Sequence, residues 1–312
     1  MSRQIIHIGI HKTSSTFFQE NIFPNVVGFN LLTRPYTQHN HFFNKIQYQD
    51  DTLFDIDVVK NYLKNQGYSK QNLILSDESL SGKPLGYSYI NRSMIAKRLK
   101  KLWPNATIII FLRDQKDIIK SHYSSYIKMP FGVKTFEDFL WIPSKNDMKK
   151  NDNTYDQKSL YYNSNDFYLH ADNFKYSELI KLYKELFSDV KVFLYEDFKK
   201  NQQFFLKKIK NELNIEVDHS KIILKNKVNK SLTFKDLMRR RKLNQISLLF
   251  KAPLVKKIII NSYKIFPYPI FYEKKLSDII KLSLSGYYTK DNIDLKKLTP
   301  EIDWEKFNGV YK

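Results

Sequence analysis

Four short apolar runs punctuate the first 195 residues: "QIIHIGI" (4–10), "NLILS" (72–76), "ATIIIFL" (106–112) and "VKVFLY" (190–195). Each is rich in β-branched or aliphatic residues and bounded by polar positions, the pattern of strands covered on both faces. The stretches between them follow a different period. Residues 90–102, ending before Trp103-Pro104, residues 114–127, and residues 174–187, with Leu179, Leu182, Tyr183 and Leu186 on one face, repeat at helical spacing. Alternation of strand and helix predicts βαβ units and therefore an α/β fold with a mostly parallel central sheet flanked by helices. The 312 residues are long enough for one large domain: a core over 1–230, followed by a helical, basic and aromatic subregion over about 231–312.

Two segments interrupt the rhythm. Residues 144–166, "SKNDMKKNDNTYDQKSLYYNSND", hold almost no aliphatic side chain and read as a long loop, either disordered or a lid over an acceptor site. Residues 236–275 combine "RRRK" with "ISLLF", "IIINSYKIF" and "PYPIFYEKK". That mixture suits peripheral contact with a membrane surface. It suits better a helical subdomain with a basic outer face, since Pro253, Pro267 and Pro269 break any continuous amphipathic helix.

Composition narrows the chemistry. Lys and Arg number 52 against 32 Asp and Glu, a net charge of +20, which attracts anionic partners such as nucleic acid, anionic lipid, an acidic glycan or a phosphorylated cofactor. A Lys-, Asn- and Ile-rich composition gives the same balance without any such partner. With no cysteine, disulfides, thiolate metal sites and a cysteine nucleophile are excluded. The N-terminal apolar run is too short for a secretory signal, and no stretch of about 18 apolar residues predicts a membrane span. A cytoplasmic protein is expected, at most peripheral at the inner face of the membrane.

The sharpest local feature is "GIHKTSST" (9–16), directly after the first predicted strand. If residues 15–26 open a helix, the intervening turn presents backbone N–H groups to whatever lies beyond the strand end, an anion site. Gly9 allows a close turn, Lys12 adds a mobile charge, and Thr13, Ser14, Ser15 and Thr16 bring four hydroxyls. A Ser/Thr cluster that merely caps a helix gives the same pattern. The nucleotide-kinase spacing G-x-x-x-x-G-K-[ST] is not met, because Lys12 follows Gly9 after two residues, so ATP-dependent phosphoryl transfer is disfavoured.

The spacing G-x-x-K-T-x-[ST]-T resembles the phosphosulfate-binding loop of sulfotransferases that use 3′-phosphoadenosine 5′-phosphosulfate (PAPS). A second segment, "IIIFLRDQKDIIKSHYSSY", is similar to that family's 3′-phosphate motif, with Arg113 at a strand end and Ser121 eight residues on, in the next helix. An Arg fork and a hydroxyl two turns along a helix can converge on one phosphate. The resemblance extends loosely to "YSELIKLYKELFSDVKVFLYEDF", "NKVNKSLT" (226–233) and "YYTKDNIDLKK", and is nearest to bacterial, carbohydrate-sulfotransferase-like members. It implies a P-loop-type sheet, PAPS as donor, cofactor binding by Lys12, Thr13, Ser14, Ser15, Thr16, Arg113 and Ser121, and no required metal. Two positions depart from it: Ser14 stands where Gly is usual, and Gln115 where Pro is frequent. A side chain at position 14 resists positive φ.

Sulfuryl transfer needs a deprotonated acceptor hydroxyl and charge neutralised on the departing phosphate. Lys12 suits the second task. For the first, "LILSDESLSG" places Asp77 and Glu78 just past a predicted strand; Glu78 matches the "S-x-E-x-L" position where some glycan sulfotransferases resemble this chain, though either carboxylate could simply cap the next helix. His11, His39 and His41 compete as bases. The pair His39 and His41 lacks a recognisable metal spacing. Aromatic stretches such as "SLYYNSNDFYLH" (159–170) offer stacking platforms, so a glycan or glycolipid hydroxyl is the expected acceptor. Nucleic acid is not the expected partner, because the cations are spread along the chain and no recognition motif appears. The alternative function is a basic nucleic-acid- or membrane-surface-binding protein without transfer activity.

Overall fold

The computed structural model describes residues 2–33, 40–82, 91–142, 169–222, 233–249, 276–307 and 311. The expected loop at 144–166, His39, most of "NKVNKSLT" and residues 250–275 of the basic and aromatic stretch lie outside them. The chain divides into two compact units, Met1–Asp114 with Lys175–Asn226 and Thr289–Lys312, and Gln115–Phe174 with Lys227–Tyr288. The expected core and C-terminal subregion each contribute to both.

The first unit is built on five parallel strands: β1 (Gln4–His7), β2 (Asn30–Thr33), β3 (Leu73–Ser76), β4 (Thr107–Leu112) and β5 (Asp189–Leu194), in the order β2-β3-β1-β4-β5. All four strand pairings are parallel. Every residue of β3 and β4 is buried, which is why these runs are continuously apolar and do not alternate. Four of the five strands fall on the four apolar runs. The fifth, β2, comes from "NLLT", too short and too poor in β-branched residues to stand out as a strand from sequence.

Helices α1 (Asn40–Tyr48), α2 (Ile56–Asn65), α3 (Arg92–Leu102), α5 (Tyr176–Leu186), α6 (Gln202–Leu213) and α9 (Thr289–Leu298) accompany this sheet. The expected helix over 15–26 is composite: an α turn at Ser15–Phe17, a π turn at Phe18–Ile22 and a 3-10 turn at Phe23–Asn25, where Pro24 halts it. Its Phe17, Phe18 and Phe23 enter a buried cluster with Phe111, Phe193, Phe198 and Phe205. Phe18 meets Phe111 edge-on at 4.6 Å between centroids. Each such ring contributes roughly 1.5–3 kcal/mol by burial, so this segment is fixed to the sheet despite its irregular backbone.

The second unit holds α4 (Gln115–Lys128), α7 (Phe234–Leu249), α8 (Leu276–Ser283) and a two-residue parallel pairing of Leu140–Trp141 with Leu169–His170. Asn244 on α7 donates its amide to the carbonyls of Ile127, Met129 and Gly132 at 2.8–3.0 Å, satisfying the end of α4. Of the "RRRK" cations on α7, Arg241 is buried, which interrupts the patch a polyanion would meet. No helix among the described residues is long and apolar enough to cross a membrane.

In the first unit Arg98 is a buried cation at 2% exposure that closes the end of α1. Its guanidinium donates to the carbonyls of Lys45, Ile46 and Gln49 and to Asp51 Oδ1, at 2.6–3.2 Å. Arg98→Met leaves three carbonyls without this donor and should destabilise the protein by about 2–4 kcal/mol. Urea denaturation measures this as a lower midpoint; a change within ~0.5 kcal/mol would mean that water replaces the arginine without loss.

Candidate active site at the strand ends

Strands that run in one direction end along one edge, where the following loops converge. His7, Ser76 and Thr33 sit level across β1, β3 and β2, so the residues after them emerge side by side. Beyond His7 the backbone of β1 continues beside β4: Ile8 N donates to Ile109 O, Phe111 N to Gly9 O and Ile10 N to Phe111 O, at 3.1–3.4 Å. The run expected to be strand to residue 10 is therefore bonded that far, but regular only to His7. Gly9 is the cause of the break. It adopts φ 88°, and a Cβ there would lie 2.6 Å from Glu78 Cα.

The loop then turns twice through the left-handed region at residues that carry side chains, Lys12 at φ 68° and Ser14 at φ 70°. Ser14 thus occupies the conformation for which glycine is usual, at a cost of about 1–2 kcal/mol. Internal bonds hold the turn. Thr13 Oγ1 donates to Ile10 O at 2.5 Å and Ser15 Oγ to the same oxygen at 3.5 Å, while Phe17 N and Phe18 N both donate to Ser14 O. Of the four hydroxyls assigned to an anion from sequence, those of Thr13 and Ser15 are buried and directed to the loop's own carbonyl. Lys12 and Thr16 are exposed and Ser14 is half-buried.

Arg113, the first residue after β4, reaches this loop from 101 positions away, its Nη1 donating to Lys12 O at 2.9 Å. The guanidinium lies 4.6 Å over the ring of Tyr195, the residue after β5. Its Nε is buried and has no hydrogen-bond partner among the described residues. Behind it the strand-end turn is fixed by buried groups. Tyr176 Oη donates to Arg113 O at 2.8 Å, and Asp114 N donates to Glu196 Oε1 and Tyr311 Oη to Glu196 Oε2, both at 2.9 Å. Burial raises the Glu196 carboxyl above its ordinary value, and these two donors and the Arg113 charge oppose the rise.

The two carboxylates left open by sequence separate clearly. Asp77 is buried at 2% exposure; its Oδ1 accepts from Ser79 N at 2.8 Å and its Oδ2 from Gln47 Nε2 at 3.0 Å, so it caps the 3-10 turn Glu78–Ser81. Glu78 is half-buried and accepts at Oε2 from Gln19 Nε2 at 3.4 Å. Burial, and then repulsion from Asp77, push its carboxyl above the ordinary carboxylate value, with Gln19 and Lys12 pulling the other way.

No protein-family model matches the chain, and no curated protein matches it in sequence. Among solved structures, a sulfotransferase from Alicyclobacillus acidocaldarius is 14% identical, over 84% of this chain and 96% of that one, with a TM-score of 0.47. Mouse sulfotransferase SULT7A1 complexed with PAP is 13% identical, over 100% and 89%, at 0.35. The sulfotransferase domain from the curacin biosynthetic pathway is 12% identical, over 91% and 98%, at 0.37. These likenesses assign no family to the chain.

The fold brings Lys12, Ser14, Thr16, Arg113 and Glu78 to one edge of the first unit's sheet. Ser121 lies on α4 in the second unit, half-buried. His11 is half-buried within the loop and His41 is exposed on α1. Among the described residues no group of three His, Asp or Glu side chains could hold a metal ion. Gln19, Tyr195, Glu196 and Tyr311 were not singled out from sequence, since only the acidic turn after β5 gave any local signal. Ser14→Gly should remove the strain at φ 70° and raise stability by about 0.5–1 kcal/mol, the relief exceeding the added freedom of the unfolded chain. Thermal unfolding checks this; a fall in midpoint would show that the Ser14 hydroxyl contributes more than its backbone costs.

Proposed function

We propose that this protein is a sulfotransferase that moves a sulfuryl group from PAPS to an acceptor hydroxyl. The observation that carries the proposal is the meeting of two motifs about a hundred residues apart, seen in the bond from Arg113 Nη1 to Lys12 O. By this bond the strand-end arginine is joined to the loop that follows β1. Its buried, unpartnered Nε is the kind of donor that a phosphate oxygen satisfies.

When bound, PAPS supplies a sulfuryl group already activated by attachment to a phosphate. Lys12 is exposed at the tip of the loop, where its ammonium can neutralise charge developing on the departing phosphate. The arginine fork of Arg113 would hold the 3′-phosphate; Ser121, which the motif pairs with it in sequence, belongs to the second unit. Glu78 takes the proton of the acceptor hydroxyl. A carboxyl raised by burial is a stronger base when ionised than an exposed one, and the neighbouring Lys12 charge keeps the ionised form accessible.

A glycan or glycolipid hydroxyl is the acceptor we propose. Supporting it are the net charge of +20, which draws acidic glycans, and the aromatic residues of 159–170. Residues 236–275 would bring the enzyme to the inner face of the membrane, where lipid-linked glycans are found.

Calorimetric titration with adenosine 3′,5′-bisphosphate, AMP and ATP tests the donor site. Selective binding of the bisphosphate, lost in Arg113→Ala, is expected; equal or absent binding of all three would overturn the reading. Lys12→Ala should lower turnover about a hundredfold, the scale for loss of one electrostatic donor, with bisphosphate affinity falling much less. Near-normal turnover in that variant would remove Lys12 from the leaving-group role.

A further inference from the structure

Beneath Glu78 lies a buried polar chain that the transfer reaction, as assigned above, does not use. Gln19 is 6% exposed, Ser76 and His7 not at all. The Gln19 amide donates to Ser76 Oγ at 3.2 Å, to Ser76 O at 3.4 Å and to Glu78 Oε2 at 3.4 Å. Ser76 Oγ in turn lies 2.8 Å from His7 Nδ1, and Thr33 Oγ1 donates to Ser76 O at 2.7 Å. Gln19 sits in the single π turn of this segment, Phe18–Ile22. A π turn changes the direction in which successive side chains project and costs helix regularity, which is why such turns gather where one side chain must be aimed.

Taking the assignment of Glu78 as base, we propose that Gln19 is its positioning residue: anchored on Ser76, the Gln19 amide holds one Glu78 carboxylate oxygen and leaves the other to receive the acceptor's proton. The arrangement is one-directional. Ser76 O and the ionised Glu78 carboxylate can only accept, so Gln19 is oriented with its NH2 group toward both and its oxygen away; a glutamine flipped the other way would set its oxygen against two acceptors. His7 completes the anchor as a neutral ring. Burial pushes its pKa down to about 3, so it carries no charge toward Glu78 at working pH, and it is enclosed by Phe23 and Phe111 at 5.3 and 4.8 Å. The charged groups that act on Glu78 are Asp77, which raises its pKa, and Lys12, which lowers it, while the Gln19 hydrogen bond also lowers it.

The direct test is carbon-13 NMR titration of the Glu78 carboxyl in the full-length protein, assigned with Glu78→Gln. Gln19→Met keeps length and burial but removes the donor, and should move the Glu78 midpoint to higher pH. Ser76→Ala, which removes one of the two Ser76 acceptors that anchor Gln19, should move it the same way by less. Where transfer is measurable, the acidic limb of kcat should move up with the carboxyl and the KM for PAPS should hold. The plateau should fall by less than the roughly hundredfold or more that loss of a general base brings. An unchanged Glu78 midpoint in Gln19→Met overturns the proposal. A shifted midpoint in a protein that transfers nothing from PAPS would retain Gln19 as the partner of Glu78 and remove the proposed reaction instead.

Discussion

The contact on which the site depends is the approach of the Gly9 backbone to that of Glu78. Parallel neighbours in a sheet keep their strands about 4.8 Å apart, but here the chain leaving β1 crosses toward the chain leaving β3 until no Cβ fits between them. Only glycine allows both this approach and the φ of 88°. Ile8, Gly9 and Ile10 can follow β4 because Gly9 lets the backbone turn without leaving the ladder. The cationic loop and the candidate base are thereby joined by backbone geometry, so their relation does not rest on flexible side chains.

The loop itself is strained, and the strain is opposed by bonds from far along the chain. Two residues with side chains in the left-handed region, at about 1–2 kcal/mol each, would relax in an isolated peptide. Thr13, Ser15 and the first N–H groups of the helical segment oppose this locally, and Arg113 opposes it from β4. Arg113 is itself set by Tyr176, and the turn that carries it by Glu196 and Tyr311. A loop conformation that glycine would adopt unaided is imposed on Ser14 by the rest of the unit. The departure at this position, visible in the sequence, is absorbed by structure that the sequence does not display.

The sheet was legible because buried parallel strands must be continuously apolar, and "ATIIIFL" can hardly be anything else. β2 was not, since "NLLT" obtains its strand character from pairing with β3 and not from its own residues. The helix after the loop was legible in existence but not in kind. Its phenylalanines, at 17, 18 and 23, fit the aromatic cluster only through a π and then a 3-10 turn, a choice made by Phe111, Phe193 and Phe205, which lie at least 88 residues away. At the site, Lys12, Arg113 and Glu78 stood out because they lie just past predicted strands at positions that match the motifs of the family the sequence resembles. Asp77 and Glu78 were told apart in sequence only by resemblance, since the physical difference lies in Gln47, whose amide claims Asp77.

The residues that escaped notice share one property: each acts through another side chain. Gln19, Tyr195 and Tyr311 carry no local pattern and Glu196 only an acidic turn, and the partners of the four, taken as Gln19, Tyr195, Glu196 and Tyr311, are separated from them by 59, 82, 82 and 115 positions, respectively, along the chain. A buried hydrogen bond is worth only about 1 kcal/mol net, but leaving one partner unsatisfied costs more, so such residues come in mutually dependent sets. Tyr311, the penultimate residue, shows how far this reaches: it is buried at 2% exposure, and its hydroxyl satisfies the carboxylate that fixes the turn beside Arg113. Through Glu196 and the turn that carries Arg113, Tyr311 thus bears on the loop at residues 9–16, which Arg113 holds at Lys12 O.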